Sequence, residues 1–257
     1  MNGLVVFPRK YLEAVSKKAM VAKRPLNYAL LIVIIGSTMA APVTAETIAI
    51  IGTGQVAGAL GPEFAGLGHT IVYGSRDPSR DEVKELVERT GHGTSAMTPA
   101  EAAAGADMVV LAVPGDAIEA VTKSLGDLSG KIIIDPTNAL RRREDGYFDL
   151  AVKASNAELI QGWAPDAHVV KAFNSLNWRQ MADPESSGGP ISILLVGDSN
   201  EAKTIVAALV SGMGLEPIDL GPLRHARQVE GMLMLWVNNR YVRREPFEYH
   251  LRRVKTN

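Results

Sequence analysis

The chain has 257 residues, which is enough for one medium domain or for a domain with a smaller second one. Its formal net charge of -1 is unevenly divided, because residues 1–45 hold six Lys/Arg against one acidic residue and the remainder holds 21 against 27. An acidic body argues against nucleic acid as a partner, and the lack of cysteine excludes disulfides, thiolate metal sites and a cysteine nucleophile.

The first 45 residues have the order of a secretory signal peptide. Lys23 and Arg24 precede an apolar run at 29–36, and residues 43–45 (VTA) form a small-x-small cleavage site. The run is shorter than the roughly 20 residues that span a bilayer as a helix. We expect cleavage after Ala45 and a periplasmic or secreted protein without a stable membrane domain. The alternative is that the N-terminal helix or anchor is not cleaved, and the alternative location is the cytoplasm.

A dinucleotide-binding fingerprint follows directly. Residues 47–51 (TIAII) predict a buried parallel strand, and a G-x-G-x-x-A motif follows over Gly52, Thr53, Gly54, Gln55, Val56 and Ala57. Gly52 permits a sharp turn, Gly54 lets a pyrophosphate approach the backbone, and Ala57 lets the helix pack closely on the strand. The helix N-terminus would face the phosphates. An ordinary Gly-rich turn is the alternative, which the strand–loop–helix–strand context disfavours.

The end of the second predicted strand, at residues 70–73, discriminates between dinucleotides. An NAD site places Asp or Glu there to hold the ribose hydroxyls. This chain has Ser75 and Arg76 instead, with Arg80 four residues further on. A hydroxyl and two guanidinium groups suit a 2′-phosphate, so we predict NADP(H). The alternative is a solvated basic turn in which Asp77 pairs locally.

The remaining predicted strands are residues 108–113, 131–135, 169–173, 191–196 and 216–220, with helices near 200–212 and 223–242. They predict a Rossmann-type doubly wound, mostly parallel α/β sheet with a small C-terminal α/β extension. We divide the chain into an NADP-binding domain (46–175), a substrate or dimerisation region (176–242) and a basic tail (243–257). The apolar stripe of the last helix is typical of a core or homodimer contact.

Ligands of open α/β sheets bind outside the carboxyl ends of the strands. Besides the fingerprint and the residues after the second strand, those ends are Ala112–Pro114, Asn138 and Phe173-Asn174. We place them in one crevice. For Asn138 and Asn174, capping of a local turn is the alternative.

Catalytic and metal-ligating patterns are missing from the sequence. The five histidines show no metal-ligand spacing, and there is neither a G-x-S-x-G motif nor a His–carboxylate or Lys–carboxylate pair that marks an acid/base catalyst. We therefore assign no catalytic residue and no metal. Hydride transfer between two ring cofactors needs neither, because the cofactors supply the chemistry and the protein aligns the rings.

Six segments in order resemble the NADPH-dependent deazaflavin (coenzyme F420) reductase family, and equally the cytosolic NADPH-oxidoreductase domain of the six-transmembrane metalloreductases. They are IAIIGTGQVAGAL, IVYGSRDPSR, VVLAVPGDAI, IIIDPTNAL, VVKAFNSLN and PIDLGPLRHARQVE, within residues 47–239. The resemblance implies hydride transfer between NADPH and a small-molecule electron acceptor, either a flavin or a deazaflavin such as coenzyme F420. Ala57 at the third fingerprint position and the export-like N-terminus depart from the family pattern.

The resemblance also implies roles for individual residues. It assigns the pyrophosphate to residues 53–56, the 2′-phosphate to Ser75, Arg76 and Arg80, the nicotinamide half to Ala112, Val113 and Pro114, and the ring's surroundings to Ala172, Phe173 and Asn174. The PIDLGPLRHARQVE segment, with Arg227 and Glu230, would wall the second-substrate side. A structural Arg227–Glu230 pair on the helix is the alternative.

We therefore expect an NADPH-dependent oxidoreductase of the flavin or deazaflavin reductase type, which could also reduce ferric chelates. One alternative is an NADP-binding sensor or interaction module without turnover. Another is a reductase of imines or small carbonyls on the same Rossmann domain, which would need a proton donor near the nicotinamide.

Overall fold

The computed structural model describes residues 45–245, 247 and 249–254. The predicted signal peptide therefore lies outside the described residues except for Ala45, and part of the basic tail does too. In the described part of the chain, no helix has the length and apolar character needed to cross a membrane.

Ten strands are present in the described residues. They are Thr47–Ile51 (β1), Thr70–Gly74 (β2), Ser95–Met97 (β3), Met108–Leu111 (β4), Ile132–Asp135 (β5), Leu140–Arg142 (β6), Phe148–Leu150 (β7), His168–Lys171 (β8), Ser192–Gly197 (β9) and Glu216–Asp219 (β10). Eight of them form one sheet in the order β10-β9-β8-β5-β4-β1-β2-β3, and β6 and β7 form a separate hairpin.

The sheet is parallel except at one junction. β1 lies between β2 and β4 with parallel register on both sides, while β8 and β9 pair antiparallel and β10 runs parallel to β9. This arrangement confirms the predicted Rossmann-type, mostly parallel α/β fold. The strands of the C-terminal extension join the same sheet rather than forming one of their own.

Eight α-helices connect the strands in the described residues. They are Gln55–Gly66 (α1), Asp81–Thr90 (α2), Pro99–Ala104 (α3), Ile118–Ser124 (α4), Asn156–Trp163 (α5), Trp178–Ala182 (α6), Asn200–Gly212 (α7) and Ala226–Val237 (α8). Reciprocal capping boxes begin α3, with Thr98 and Glu101, and α5, with Ser155 and Glu158.

The single helix predicted over residues 223–242 is three pieces in the structure. A 3-10 turn at Leu223–His225 precedes α8, and a π-helical segment at Asn238–Arg243 follows it. Pro222 is extended before the first turn, and the imidazole Nδ1 of His225 lies 2.8 Å from the carbonyl oxygen of Leu220. These contacts delay the start of regular α-helix to Ala226.

The sheet has apolar side chains on both faces. Along β1, Ile48 and Ile50 enter the core under α1 and α7, whereas Ala49 and Ile51 enter the core under α3, α5 and α8. Since neighbouring side chains of a strand point to opposite faces, a strand buried on both sides must be apolar throughout, as TIAII is. The two layers leave the loops at the strand ends to form sites.

Substitution of Gly61 in α1 should destabilise the protein. A Cβ at Gly61 would lie 1.8 Å from the hydroxyl of Tyr73, a buried ring whose hydroxyl is 2.8 Å from Thr90 Oγ1. Because neither side can move away easily, we expect Gly61→Ala to lower the unfolding free energy by about 1–3 kcal/mol.

Gly66 in the same helix is the matched control. A Cβ there meets no atom within 4 Å in the described part of the chain, so Gly66→Ala should be neutral or stabilising by about 0.5–1 kcal/mol. Urea denaturation of both variants measures the difference. Equal effects would contradict the close approach of α1 to β2.

Candidate functional site

The turn after β1 is held against the end of β4. Gly52 has φ +110°, and a Cβ there would lie 2.3 Å from the carbonyl oxygen of Ala112 and 3.3 Å from Cγ1 of Val113. Its N–H donates to the carbonyl of Gly74 at the end of β2. Only glycine fits both this backbone conformation and this approach, so the first fingerprint position ties three strand ends together.

The start of α1 is open to a ligand. Gly54 is the extended N-cap of the helix, and a Cβ there would meet no atom of the described residues within 4 Å. Among the residues that the structure describes, no side chain caps the helix, and its first turn holds no acidic residue. The backbone N–H groups of Gln55, Val56 and Ala57 therefore have no acceptor within the helix. Helix N-termini bind phosphates through N–H groups of this kind.

A cleft of about 600 Å³ borders this helix start. Its lining residues come from the fingerprint, from α2 and from the start of α6: Thr53, Gly54, Gln55, Gly58, Glu82, Glu85, Leu86, Arg89 and Trp178. Arg89 and Trp178 were not predicted as site residues. The position of Arg89 on the exposed face of α2 could have indicated its role. Trp178 had no such signal, because α6 was not predicted.

The predicted 2′-phosphate residues follow β2. The Ser75 hydroxyl is mostly buried and donates to the Asp77 carbonyl at 3.0 Å, while Arg76 is exposed. The Asp77 carboxylate accepts from Ser79 N–H and Oγ, and these hydrogen bonds lower the pKa of Asp77. The Asp77 carboxylate is thus engaged with Ser79.

Arg80 lies at the N-cap of α2, next to this turn. Its Nε is 3.9 Å from Glu82 Oε2, and half of its side chain is exposed. A long, exposed ion pair of this kind is worth little energy, so the guanidinium can turn toward an anionic ligand.

The ends of β4 and β5 are packed directly on each other. Gly115, after Ala112–Pro114, lies so near Asn138 that a Cβ would be 2.2 Å from the Asn138 carbonyl oxygen. Ala112 and Val113 are partly buried and Pro114 is exposed. Together with the Gly52 contact, this places the fingerprint, the β4 end and the β5 end in one crevice.

Asn138 and Asn174 join the ends of β5 and β8. The Asn174 amide donates to Asn138 Oδ1 at 3.0 Å, and the Asn138 amide donates to the Asn174 carbonyl at 3.2 Å. Asn174 also donates to the carbonyl of Val229 in α8. Each side chain thus reaches across to another element, and the alternative of local turn capping is wrong for both.

Ala172 and Phe173 are fully buried beside this pair. The Phe173 ring packs edge-on against Phe64 of α1, with centroids 6.2 Å apart, so its side chain belongs to the core. Its backbone has φ +62°, a left-handed conformation that is strained for a bulky residue. The turn after β8 is therefore held in shape by its surroundings.

A buried charge cluster underlies the crevice. The Lys171 ammonium lies 2.8 Å from Asp135 Oδ2 and 2.7 Å from Glu230 Oε1, and it also donates to the Thr137 carbonyl. All three charged side chains are 0% exposed. We refer to Asp135, Lys171 and Glu230 as the buried triad.

The triad fixes the chain on both sides of Asn138. Asp135 Oδ1 accepts from the N–H and the hydroxyl of Thr137, at 2.8 and 2.7 Å. Glu230 accepts from the N–H of Ala139 and, at the start of α5, from the N–H of Asn156. Burial raises the pKa of Glu230, and the neighbouring Lys171 ammonium opposes that rise.

The structure corrects the interpretation of Glu230. Its carboxylate bonds Lys171 in β8 and two backbone N–H groups, while Arg227 is exposed. The alternative of an Arg227–Glu230 helix pair is therefore wrong. Glu230 acts from behind the crevice wall, because it has no exposed surface.

No cluster of three or more His, Cys, Asp or Glu side chains that could hold a metal occurs within residues 45–245, 247 and 249–254. The arrangement is a crevice with backbone donors at one end, guanidinium groups after β2 and a polar pair at the far end. It defines a dinucleotide-binding site of the Rossmann type.

Comparison with known proteins extends this assignment. The sequence profile of the family described as "NADP oxidoreductase coenzyme F420-dependent" matches residues 47–139. The F420-dependent NADP reductase of Methanothermobacter marburgensis is 30% identical over 202 residues, covering 73% of this chain and 88% of that protein. A crystal structure from Arthrobacter sp. FB24, assigned as an F420-dependent NADP-reductase, superimposes with TM-score 0.73 at 32% identity, covering 81% of this chain and 100% of that one.

A second group of relatives is much longer. The metalloreductase STEAP3 of Rattus norvegicus is 30% identical over 200 residues, which are 77% of this chain but 38% of that protein. The chain therefore spans less than half the length of these relatives. Both resemblances seen in the sequence are confirmed, and the chain belongs to the coenzyme F420-dependent NADP oxidoreductase family.

Removal of the Lys171 ammonium should be severely destabilising. Lys171→Met leaves the buried carboxylates of Asp135 and Glu230 without a counter-charge, which costs about 3–5 kcal/mol in comparable sites. Urea denaturation measures the loss.

Lys203→Met is the matched control. Lys203 is also buried, but its partner Asp219 is 52% exposed and can be rehydrated, so we expect a loss of about 1 kcal/mol or less. A cost at Lys171 as small as that at Lys203 would contradict the structural importance of the triad.

Proposed function

We propose that this protein transfers hydride between NADPH and a flavin or deazaflavin acceptor, with ferric reduction as a downstream use of the reduced acceptor. The observation that carries the proposal is the open backbone at Gly54, where α1 begins, in a chain of an NADP-dependent oxidoreductase family. The names of its relatives, F420-dependent NADP reductase and metalloreductase, support this class of reaction.

The residues present fit an NADP(H) molecule. The N–H groups that begin α1 would hold the pyrophosphate, because no part of the described chain fills the space that a side chain at Gly54 would occupy. Ser75, Arg76 and Arg80 would hold the 2′-phosphate, because Ser75 and Arg76 directly follow β2, where an NAD site places a carboxylate. NADPH supplies hydride chemistry when bound.

The nicotinamide end would lie along Ala112–Pro114, toward Asn138 and Asn174. Gly52 and Gly115 bring these segments together, and the buried triad holds them. Here the protein's part is to orient the ring and to limit water, since Ala172, Phe173 and Asn174 are at most 4% exposed. The PIDLGPLRHARQVE segment reaches the same place through the Val229 carbonyl and Glu230.

Two features remain predictions: export through residues 1–45, and a homodimer. The exposed side chains of Leu235 (69%) in α8 and of Tyr241 (62%) in the π-helical segment after it support a contact with a second copy.

Loss of the Arg76 side chain should selectively weaken the binding of NADPH. A guanidinium–phosphate contact is worth about 1.5–3 kcal/mol, so Arg76→Ala should lower NADPH affinity roughly 10- to 100-fold and leave the weaker NADH affinity unchanged. Fluorescence titration of both nucleotides measures the effect.

Arg252→Ala is the control, because Arg252 is an exposed arginine of the C-terminal segment. It should change neither affinity. Equal losses for NADPH and NADH in Arg76→Ala would contradict recognition of the 2′-phosphate.

The reaction is tested with protein that starts at Glu46. NADPH oxidation at 340 nm is followed with FMN, FAD, coenzyme F420 or a ferric chelate, and with a cyclic imine as the competing substrate class. We expect turnover with a flavin or deazaflavin, lost in Gly54→Ala because a Cβ would enter the pyrophosphate space. NADPH binding without turnover with any acceptor would favour the sensor, and turnover with the imine alone would favour the third alternative.

A further inference from the structure

The buried triad carries a net negative charge, and the groups around it keep that charge in place. Asp135 receives the Thr137 N–H, the Thr137 hydroxyl and the Lys171 ammonium. Glu230 receives the Ala139 and Asn156 N–H groups and the same ammonium. Within the described residues, every hydrogen bond of the two carboxylates is accepted from a donor, and the Lys171 ammonium opposes the rise that burial causes in the pKa of Glu230. With two carboxylates and one ammonium, the buried triad has a formal charge of -1.

This charge is not screened by solvent. All three side chains are 0% exposed, and the ammonium donates its three hydrogen bonds within the protein, to Asp135, Glu230 and the Thr137 carbonyl. Fields of groups buried away from water act over several ångströms with much less attenuation than those of surface charges.

The triad lies directly behind the proposed nicotinamide position. Thr137 and Ala139, which it bonds, flank Asn138 on both sides, and Lys171 directly precedes Ala172. Neighbouring Cα atoms are 3.8 Å apart, so the triad stands within a few residues' distance of the crevice.

The two redox forms of the cofactor differ in charge at that place. When hydride, with its two electrons and one hydrogen, leaves C4 of the nicotinamide for the acceptor ring, NADPH is oxidised, the acceptor is reduced and the nicotinamide gains one positive charge. We propose that the buried triad selects the oxidised form, by stabilising the positive nicotinamide, and so favours NADPH oxidation. Asp135 and Glu230 are positioning residues in this scheme, since neither touches the cofactor. The inference rests on the NADP(H) site proposed above.

The test is the ratio of the dissociation constants of NADP+ and NADPH, which needs no acceptor. Glu230→Gln makes the triad neutral and should raise the NADP+/NADPH ratio about three- to tenfold, mainly by weakening NADP+. The shift should persist at high salt, because all three side chains of the triad are 0% exposed. Asp135→Asn neutralises the same cluster from β5 and should act in the same direction, which keeps the test usable if one variant does not fold.

Asp166→Asn is the control. Asp166 is an exposed carboxylate that precedes β8 at the opposite end of the strand from Lys171. It should leave the ratio unchanged. An unchanged ratio in a folded Glu230→Gln or Asp135→Asn protein, or an equal loss of both forms, would overturn the inference while leaving the NADP(H) site intact. Failure of the unmodified protein to bind either form would instead contradict the proposed function.

Discussion

The Lys171 ammonium is the contact through which the crevice is assembled. It is completely buried, so acceptors of the protein must replace water around it. These acceptors come from the end of β5, the loop after β5 and α8. Glu230 extends the network to the start of α5. Charge interactions thus fix the half of the crevice around Asn138 and Asn174, which we call the far half. Steric contact at Gly52 fixes the half that holds the fingerprint, which we call the near half.

Much of the near half could be read from the sequence. The Gly52 and Gly54 positions, the apolar β1, and the polar turn at Ser75 and Arg76 are all local in the chain, and each has a defined physical reason. The same holds for β4, β5 and β8, whose continuous apolar runs reflect burial on both faces.

The far half was missed because its contacts are long-range. Asp135 and Glu230 are 36 and 59 residues from Lys171, and no spacing rule connects them. A local signal existed, since Glu230 lies on the same face of α8 as Ala226 and Leu233, where a carboxylate requires a partner. The β6–β7 hairpin was also missed, although Asp145-Gly146 is a typical turn dipeptide, because each of its strands has only three residues.

The order of the charges along the chain has a consequence for synthesis. A nascent chain that ends after β8 contains Lys171 and Asp135 but not Glu230, and the N–H groups of Ala139 and Asn156 then lack their acceptor. At about 5–20 residues per second, the ribosome needs roughly 3–12 s to deliver the missing carboxylate. The strands of the nucleotide-binding half are therefore made before the carboxylate that accepts these two N–H groups, and their final packing waits for α8.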